Sequence, residues 1–324
     1  MSDARDPKAL KNLPPRHAAL AAVTAVRKSG TALDSALASH PHWKRMEARD
    51  RAFARAIAAA AIRRGGALSA ALDTLIERPL PDKALKARMV LLCGAAERLV
   101  LEGAAHAAVD GWVSLMANAA STRAFIPLAT AVLCRAASGP ARAAFEACDP
   151  LADLPDWLHA RWTASYGAAT AQAMAAARAG PPPLDLTVKP GVDAAALAEA
   201  LGGVVLPTGT VRRAQIGAVE GLAGFEAGEW WVQDAAAALP AQLLAARPGE
   251  VIADLCAAPG GKTLQLAAAG AEVLAVDASA ARLKRVAANL ERTKLGAELI
   301  AADAVAWRPD RGLDAVLLDA PCTA

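Results

Sequence analysis

Residues 250–277 read EVIADLCAAPGGKTLQLAAAGAEVLAVD, and this stretch decides the fold of the second half of the chain. EVIADLC is a strand, GKTLQLAAAG a helix and AEVLAVD a second strand, which is the opening of a parallel α/β sheet. The turn between the first strand and the helix is Gly-rich, so a ligand can approach its backbone and meet unpaired N–H groups. A phosphate-cradling loop of the G-x-x-x-x-G-K-T type needs glycine five residues before Gly261, where Cys256 stands. The G-x-G-x-x-G dinucleotide pattern is absent as well. A third pattern fits better. Asp254 closes the first strand, Asp277 lies 23 residues later at the end of the next, and Asp303 ends a third. A carboxylate at Asp277 can accept both hydroxyls of a ribose, and Asp303 lies beside an adenine. Any one such Asp is ordinary turn chemistry. The three together suit a cationic ligand carrying a ribose and an adenine, S-adenosyl-L-methionine.

Working outward, SAARLKRVAANLERTK is a helix, and AELIAAD and LDAVLLD are strands, extending a doubly wound parallel sheet. The last strand runs into Asp319-Ala-Pro-Cys322, which sets a thiol at the carboxyl edge of the sheet, where such sheets bind ligands. Carbon 5 of a pyrimidine is a poor nucleophile, and a thiolate added to carbon 6 makes it reactive toward a methyl donor. Asp319 could hold the amine and ring nitrogen of the base. A buried structural cysteine is the bland alternative. Upstream, LDLTVK, DAAALAEAL and GGVVLP read as strand, helix and strand of a small α/β subdomain.

The first half is different. From Arg16 to about Ala147 the residues are those of helices, with breakers at Ser29-Gly30, His40-Pro41, Gly65-Gly66, Pro79-Leu80-Pro81, Gly103 and Gly139-Pro140. Apolar residues recur at helical steps, as in Leu85, Met89, Leu92 and Ala96. A stiff break follows at Gly180-Pro181-Pro182-Pro183. The reading is therefore multi-domain: an all-α domain over 1–147, linker helices and a small α/β subdomain over 148–245, and a Rossmann-like domain over 246–324.

Charge divides along the same line. Residues 1–150 carry 21 basic and 13 acidic groups, against 14 and 19 in the rest, so the net +3 of the chain conceals two unlike halves. Residues 1–64 alone hold 13 basic and 5 acidic groups. Arg49, Arg51, Arg55, Arg63 and Arg64 are the candidate RNA contacts, Arg51 and Arg55 lying one helical turn apart. The competing reading is a solvated face with internal ion pairs. Trp230-Trp231 could stack a base or pack in a core, and Arg212-Arg213 could touch RNA or cap a loop. His106 and His159 are ordinary helix residues. The five cysteines, Cys93, Cys134, Cys148, Cys256 and Cys322, are odd in number and widely spaced, which fits neither a disulfide framework nor a zinc site. Uncharged stretches such as Thr163 to Ala177 contain Ser, Thr, Tyr and Gln, and MSDARDPKALKNLPPR has no apolar signal core. A cytoplasmic monomer, neither membrane-bound nor secreted and without a metal, is expected.

The segments DLCAAPGGKT, AVDASAARLKRVAANLERTKL, AADA and LLDAPCTA resemble the Sun/NOL1 family of RNA cytosine-5 methyltransferases. FEAGEWWVQDAAAAL resembles that family's F-x-x-G-x-x-x-V-Q-D segment through Phe225, Gly228, Val232, Gln233 and Asp234. ARDRAFARAIAAAAIRRGGALSAALDTLIERPL and HAAVDGWV are similar to the NusB helical domain, an RNA binder, and its fusion to this catalytic domain is characteristic of the bacterial rRNA small-subunit methyltransferase B group. The resemblance implies a NusB-like domain followed by a Rossmann-like domain that uses S-adenosylmethionine to methylate carbon 5 of a cytosine in 16S rRNA. It implies that Cys256, Ala257, Ala258, Pro259, Gly260, Gly261 and Lys262 hold the methionine end, with Asp277, Arg282, Asp303 and Asp319 completing the cofactor site. Cys322 and Asp319 are the implied catalytic residues. In that family a later Thr-Cys motif supplies the nucleophile and the Pro-Cys thiol, here Cys322, assists product release. No Thr-Cys pair occurs in these 324 residues, and only about 75 follow Glu250. An incomplete catalytic domain is the expectation, with a NusB-like RNA-binding protein that transfers no methyl group as the alternative, and attack by Cys322 itself as a further one.

Overall fold

The computed structural model describes residues 13–214 and 219–321. The chain divides into two compact units, one through Pro181 and one from Pro182 onward.

The first unit is helical: α1 (Leu13–Ser29), α2 (Leu33–Ala38), α3 (Ala48–Arg63), α4 (Gly65–Asp73), α5 (Leu85–Leu99), α6 (Ala105–Ala117), α7 (Ala120–Arg123), α8 (Ile126–Arg135), α9 (Gly139–Ala147), α10 (Asp156–Tyr166) and α11 (Ala168–Ala179). Helix α5 is its centre. Met89, Leu92 and Ala96 are buried as their spacing predicts, whereas Leu85, at the first position of the helix, is exposed; Val90, Leu91, Cys93 and Ala95 are buried as well, so residues 89–96 are enclosed on every side. Gly94 lets α8 come close, since a Cβ there would lie 2.6 Å from the Leu133 side chain. One charge pair is enclosed in this core. Arg16 Nε donates to Glu97 Oε2 at 2.9 Å, Arg16 Nη2 to Glu97 Oε1 at 2.5 Å, and Trp112 Nε1 to Glu97 Oε2 at 2.9 Å. Gly111 lies flat on the guanidinium, where a Cβ would be 2.8 Å from it.

The sequence division put residues 148–181 in a middle segment, whereas the contacts attach them to the helical unit. The Asp153 carboxylate accepts the Ala67 N–H at 2.9 Å and Arg64 Nε at 2.8 Å, and Leu151 and Leu154 pack with Ala171 and Ala175 of α11.

In the second unit β1 (Leu184–Val188), β2 (Val204–Val205), β3 (Val211–Arg213) and β4 (Trp230–Val232) form an antiparallel sheet in the order β2-β3-β1-β4, covered by α12 (Ala194–Leu201). Strands β3 and β4, three residues each, were too short for periodicity to reveal. Helix α13 (Ala235–Leu244) leads to β5 (Val251–Leu255), α14 (Gly261–Ala268), β6 (Glu272–Asp277), α15 (Ala280–Thr293), β7 (Glu298–Ala301) and β8 (Ala315–Leu318). Their sheet is parallel, in the order β7-β6-β5-β8. The expected α/β elements are therefore all present. Strand order reverses at β5, so the carboxyl end of β5 is the switch point at which such sheets open a ligand crevice.

Helix α15 docks on the small sheet through the segment 225–234. The Arg292 guanidinium lies 4.2 Å over the Phe225 ring and donates to the Phe225 carbonyl at 2.8 Å. Gly228, at φ +71°, abuts the end of α15, where a Cβ would fall 2.2 Å from the Arg292 carbonyl. Trp230 and Trp231 are buried and pack the core. Arg212 pairs with the Asp185 carboxylate at 2.7 Å through two N–H groups, and Arg213 donates to the Leu201 carbonyl. Both arginines serve the fold.

Removing one member of a buried ion pair leaves the other charge enclosed. Glu97→Ala is expected to destabilise the helical unit by about 3–5 kcal/mol, seen as a lower urea midpoint of the helical circular-dichroism signal. Glu146→Ala, whose ion pair with Arg142 lies at the surface, is expected to change it by less than about 1 kcal/mol.

Candidate active site

The carboxyl end of β5 is built from groups that its own backbone holds in place. Asp254, the penultimate residue of β5, is buried and accepts the Thr263 hydroxyl of α14 at 2.6 Å. Burial pushes its pKa up to about 6 from the usual carboxylate range, against the opposing pull of the Thr263 hydrogen bond. The chain then turns twice through left-handed backbone, at Cys256 with φ +64° and at Gly260 with φ +105°. Glycine suits the second position. At the first, a side chain accepts a conformation that L residues rarely adopt.

Asp277, at the end of β6, holds this turn. Its Oδ2 accepts the Ala258 N–H at 3.1 Å and its Oδ1 the Ser279 N–H at 2.9 Å. Arg282, on the first turn of α15, lies 3.5 Å from Asp277 Oδ2 and donates to the Ala258 carbonyl. The Ala257 N–H donates to the Val276 carbonyl at 3.0 Å. Both sides of the turn are thereby tied to β6.

The turn borders a cavity of about 380 Å3. Of the residues expected at the cofactor, Cys256, Ala257, Ala258, Pro259, Gly261, Lys262 and Asp319 line it, together with Asp254. Gly260 forms the turn behind them. Asp277 and Arg282 stand outside the cavity wall and support the loop, and Asp303 is exposed on its own turn, its Oδ1 accepting the Val305 N–H at 2.9 Å. Cys322 lies outside the described residues. Burial raises the Cys256 thiol, with the nearby Asp277 charge acting the same way, so this sulfur is held as a neutral thiol.

Across the mouth Lys262 Nζ donates to Asp319 Oδ2 at 2.7 Å, the lysine being mostly buried and the aspartate exposed. The cavity wall also takes in Gln233, Asp234 and Asn289, which motif reading had not assigned to the cofactor. Gln233 is a junction: its Oε1 accepts Thr187 and Trp231 at 2.9 Å, and its Nε2 donates to Gln265 at 2.6 Å. It also packs against Gly261, where a Cβ would come within 3.1 Å of it. Asn289 is four residues short of the end of α15, inside the segment AVDASAARLKRVAANLERTKL, where no role was given to it. Three aspartates, 234, 254 and 319, face one lysine on this wall, a donor set that favours a cationic ligand. A sulfonium compound with a nucleoside fits that set better than a nucleotide phosphate would.

Among the five arginines expected to meet RNA, Arg51 donates to the Met46 carbonyl at 2.8 Å, and Arg55 pairs with Asp34. Arg64 pairs with Asp153 at 2.8 Å and lies 4.5 Å over Phe145. Arg63 is half-buried, and burial followed by the Arg178 charge lowers its pKa. Arg49 is exposed. Among the described residues there is no cluster of side chains able to hold a metal ion, and no helix long and apolar enough to cross a membrane.

A doubly wound sheet with a Gly-rich, acid-lined crevice at its switch point, following an all-α unit in the sequence, defines a Rossmann-like methyltransferase with a helical RNA-binding-type domain. Family profiles agree on both parts: residues 13–137 match the NusB family, and residues 241–324 match 16S rRNA methyltransferase RsmB/F. The ribosomal RNA small subunit methyltransferase B of Pseudomonas putida is 33% identical over 96% of this chain and 74% of its own length. That of Xanthomonas campestris pv. campestris is 36% identical over 85% of this chain and 65% of its own length. The crystal structure of PH0851 superposes on 99% of this chain and 76% of its own with a TM-score of 0.65 at 19% identity, a likeness of fold. The chain belongs to the ribosomal RNA small subunit methyltransferase B family, whose methyl donor is S-adenosylmethionine. It spans about two thirds of the length of the Xanthomonas relative and three quarters of the Pseudomonas one.

The Asp254 environment has a pH signature. Folding raises its pKa, so the folded state holds the proton more tightly, and this contribution is complete below about pH 4 and lost as pH rises through about 6. A rise of that size is worth about 3 kcal/mol. Urea midpoints of Asp254→Asn measured from pH 4 to 7 are expected to gain on the parent as pH rises. Parallel curves would show that the carboxylate is ionised without cost.

Proposed function

We propose that this chain takes part in S-adenosylmethionine-dependent methylation of carbon 5 of a cytosine in bacterial small-subunit rRNA. The observation that carries the reading is the acid-lined cavity at the switch point, closed by the Lys262–Asp319 pair three residues before Cys322. When bound, the cofactor supplies an electrophilic methyl group. The loop from Cys256 to Lys262 holds its methionine end, Lys262 meeting the carboxylate, while the negative wall favours the sulfonium. Asp277 keeps a free lone pair on Oδ1 for a ribose hydroxyl once Arg282, which is half exposed, swings aside. The resemblance would bring Asp303 to the adenine.

On the base side, Asp319 accepts the exocyclic amine of the cytosine, which requires its release from Lys262 as the cofactor engages that lysine. A cysteine thiolate added to carbon 6 makes carbon 5 nucleophilic. Carbon 5 would then take the methyl group, the cofactor leaving as its neutral thioether, and loss of the carbon 5 proton to water with expulsion of the thiolate would restore the aromatic ring. The family resemblance gives the attack to a Thr-Cys motif and the release to Cys322. The base must leave its stack to reach the cavity, which favours rRNA that is not yet assembled. The basic helical unit would hold that RNA.

Two measurements test this. Calorimetry with S-adenosylhomocysteine is expected to give one site, weakened about tenfold or more by Asp277→Asn through loss of a charged hydrogen-bond acceptor. With these 324 residues, in which no Thr-Cys pair occurs, little or no label from S-adenosylmethionine is expected in unmodified small-subunit rRNA, and what label there is falls in 5-methylcytidine when the nucleosides are resolved by mass spectrometry. Label in another nucleoside, or failure to bind the cofactor analogue, would overturn the reading, and robust transfer abolished by Cys322→Ala would make Cys322 the nucleophile.

A further inference from the structure

Arg51, Arg55 and Arg64 are held by internal partners, and a separate group of unpaired cations of the helical unit gathers away from α3. Two adjoining cavities, of about 340 and 460 Å3, share His17 of α1 and Lys86 of α5 as wall residues. Lys28 at the end of α1, Lys83 in the turn before α5 and Ser121 of α7 line the larger one. Among the described residues no carboxylate lines either cavity, and Lys28, Lys83 and Lys86 have neither an ion pair nor a hydrogen bond. Three ammonium groups around one hollow repel one another unless an anion sits among them.

The histidines add a directed donor. The His42 backbone N–H donates to His40 Nδ1 at 3.3 Å, which leaves the neutral His40 ring its proton on Nε2. That N–H faces His17 Nδ1 at 2.8 Å, so the His17 proton is on Nε2, the side left for a ligand. Burial and the neighbouring Lys86 and His42 charges keep the His17 ring neutral, and burial with the two flanking imidazoles does the same for His40.

We propose that these two cavities bind successive backbone phosphates of RNA, with Lys83 and Lys86 as the principal charge contacts, Lys28 flanking them and His17 donating from Nε2. Two joined hollows with a shared cationic wall suit a strand of linked phosphates better than one free ion. The inference rests on the RNA-binding reading of this unit and relocates the contact from the arginines of α3 to the start of α5.

The test is fluorescence anisotropy of a labelled single-stranded small-subunit rRNA fragment, using the full chain over a salt series. The double variant Lys83→Gln/Lys86→Gln is expected to bind about tenfold more weakly at moderate salt and to lower the salt slope by about 2, with its circular dichroism unchanged. His17→Phe is expected to lose affinity a few-fold at an unchanged slope, since a neutral donor releases no counterion. Arg49→Gln is expected to bind like the parent. If the double lysine variant keeps parental affinity and slope, or if polyglutamate competes as well as unlabelled RNA of equal charge, this site is overturned while the RNA-binding reading stands. A parent chain that binds no RNA would overturn both.

Discussion

The Asp277 carboxylate is the constraint on which the crevice depends. Between β5 and α14 the backbone must reverse through two left-handed residues, one of them a cysteine, and such a turn persists only if its surroundings over-determine it. Asp277 supplies that by accepting the Ala258 and Ser279 N–H groups, and Arg282 completes it at the Ala258 carbonyl. The same contacts fix β6 to the turn and start α15, so the loop, the second strand and the second helix are set together. A carboxylate that looked from sequence like a ribose ligand is first a structural tie. Binding through it therefore has to work within an arrangement that it already maintains.

The second support comes from the small antiparallel sheet. In the segment 225–234 each motif residue acts on a different neighbour: Phe225 carries the Arg292 guanidinium, Gly228 admits the end of α15, and Asp234 caps α13 by accepting two N–H groups. Gln233 joins Thr187 and Trp231 to Gln265 and rests on Gly261. The crevice is thus braced from behind by one sheet and from the side by another. That is how a motif upstream of the Gly-rich loop helps to shape it.

Much of this was legible in the residues. Short apolar runs in VIADL and EVLAVD, their alternation with helical stretches, the Gly-rich turn and the Asp near each strand end were enough to place the parallel sheet and its ligand edge, because apolar runs and turn chemistry are local properties. Strands β3 and β4 were not legible, since three residues give no period and their pairing with β1 is a long-range matter. Gln233, Asp234 and Asn289 reach the cavity from elements whose positions depend on tertiary packing. The attachment of α10 and α11 to the helical unit was hidden for the same reason: it turns on Asp153 meeting Arg64 and Ala67, more than eighty residues apart in sequence.

Charge counts have the same weakness, and the helical unit shows why. The excess of basic groups in residues 1–64 is a property of composition, and it singles out the arginines of α3 because they are dense there. Folding then gives Arg55 an aspartate, Arg64 an aspartate and a ring, and Arg51 a carbonyl. A guanidinium with its five donors in a fixed fork readily finds such partners inside a protein. A lysine on a flexible stem at a helix start does not, and Lys83 and Lys86 stay unpaired. Where a polyanion binds is decided by the charge that remains after the fold has used its own. In this unit Lys28, Lys83 and Lys86 are part of that remainder, and they surround two cavities away from the most basic helix.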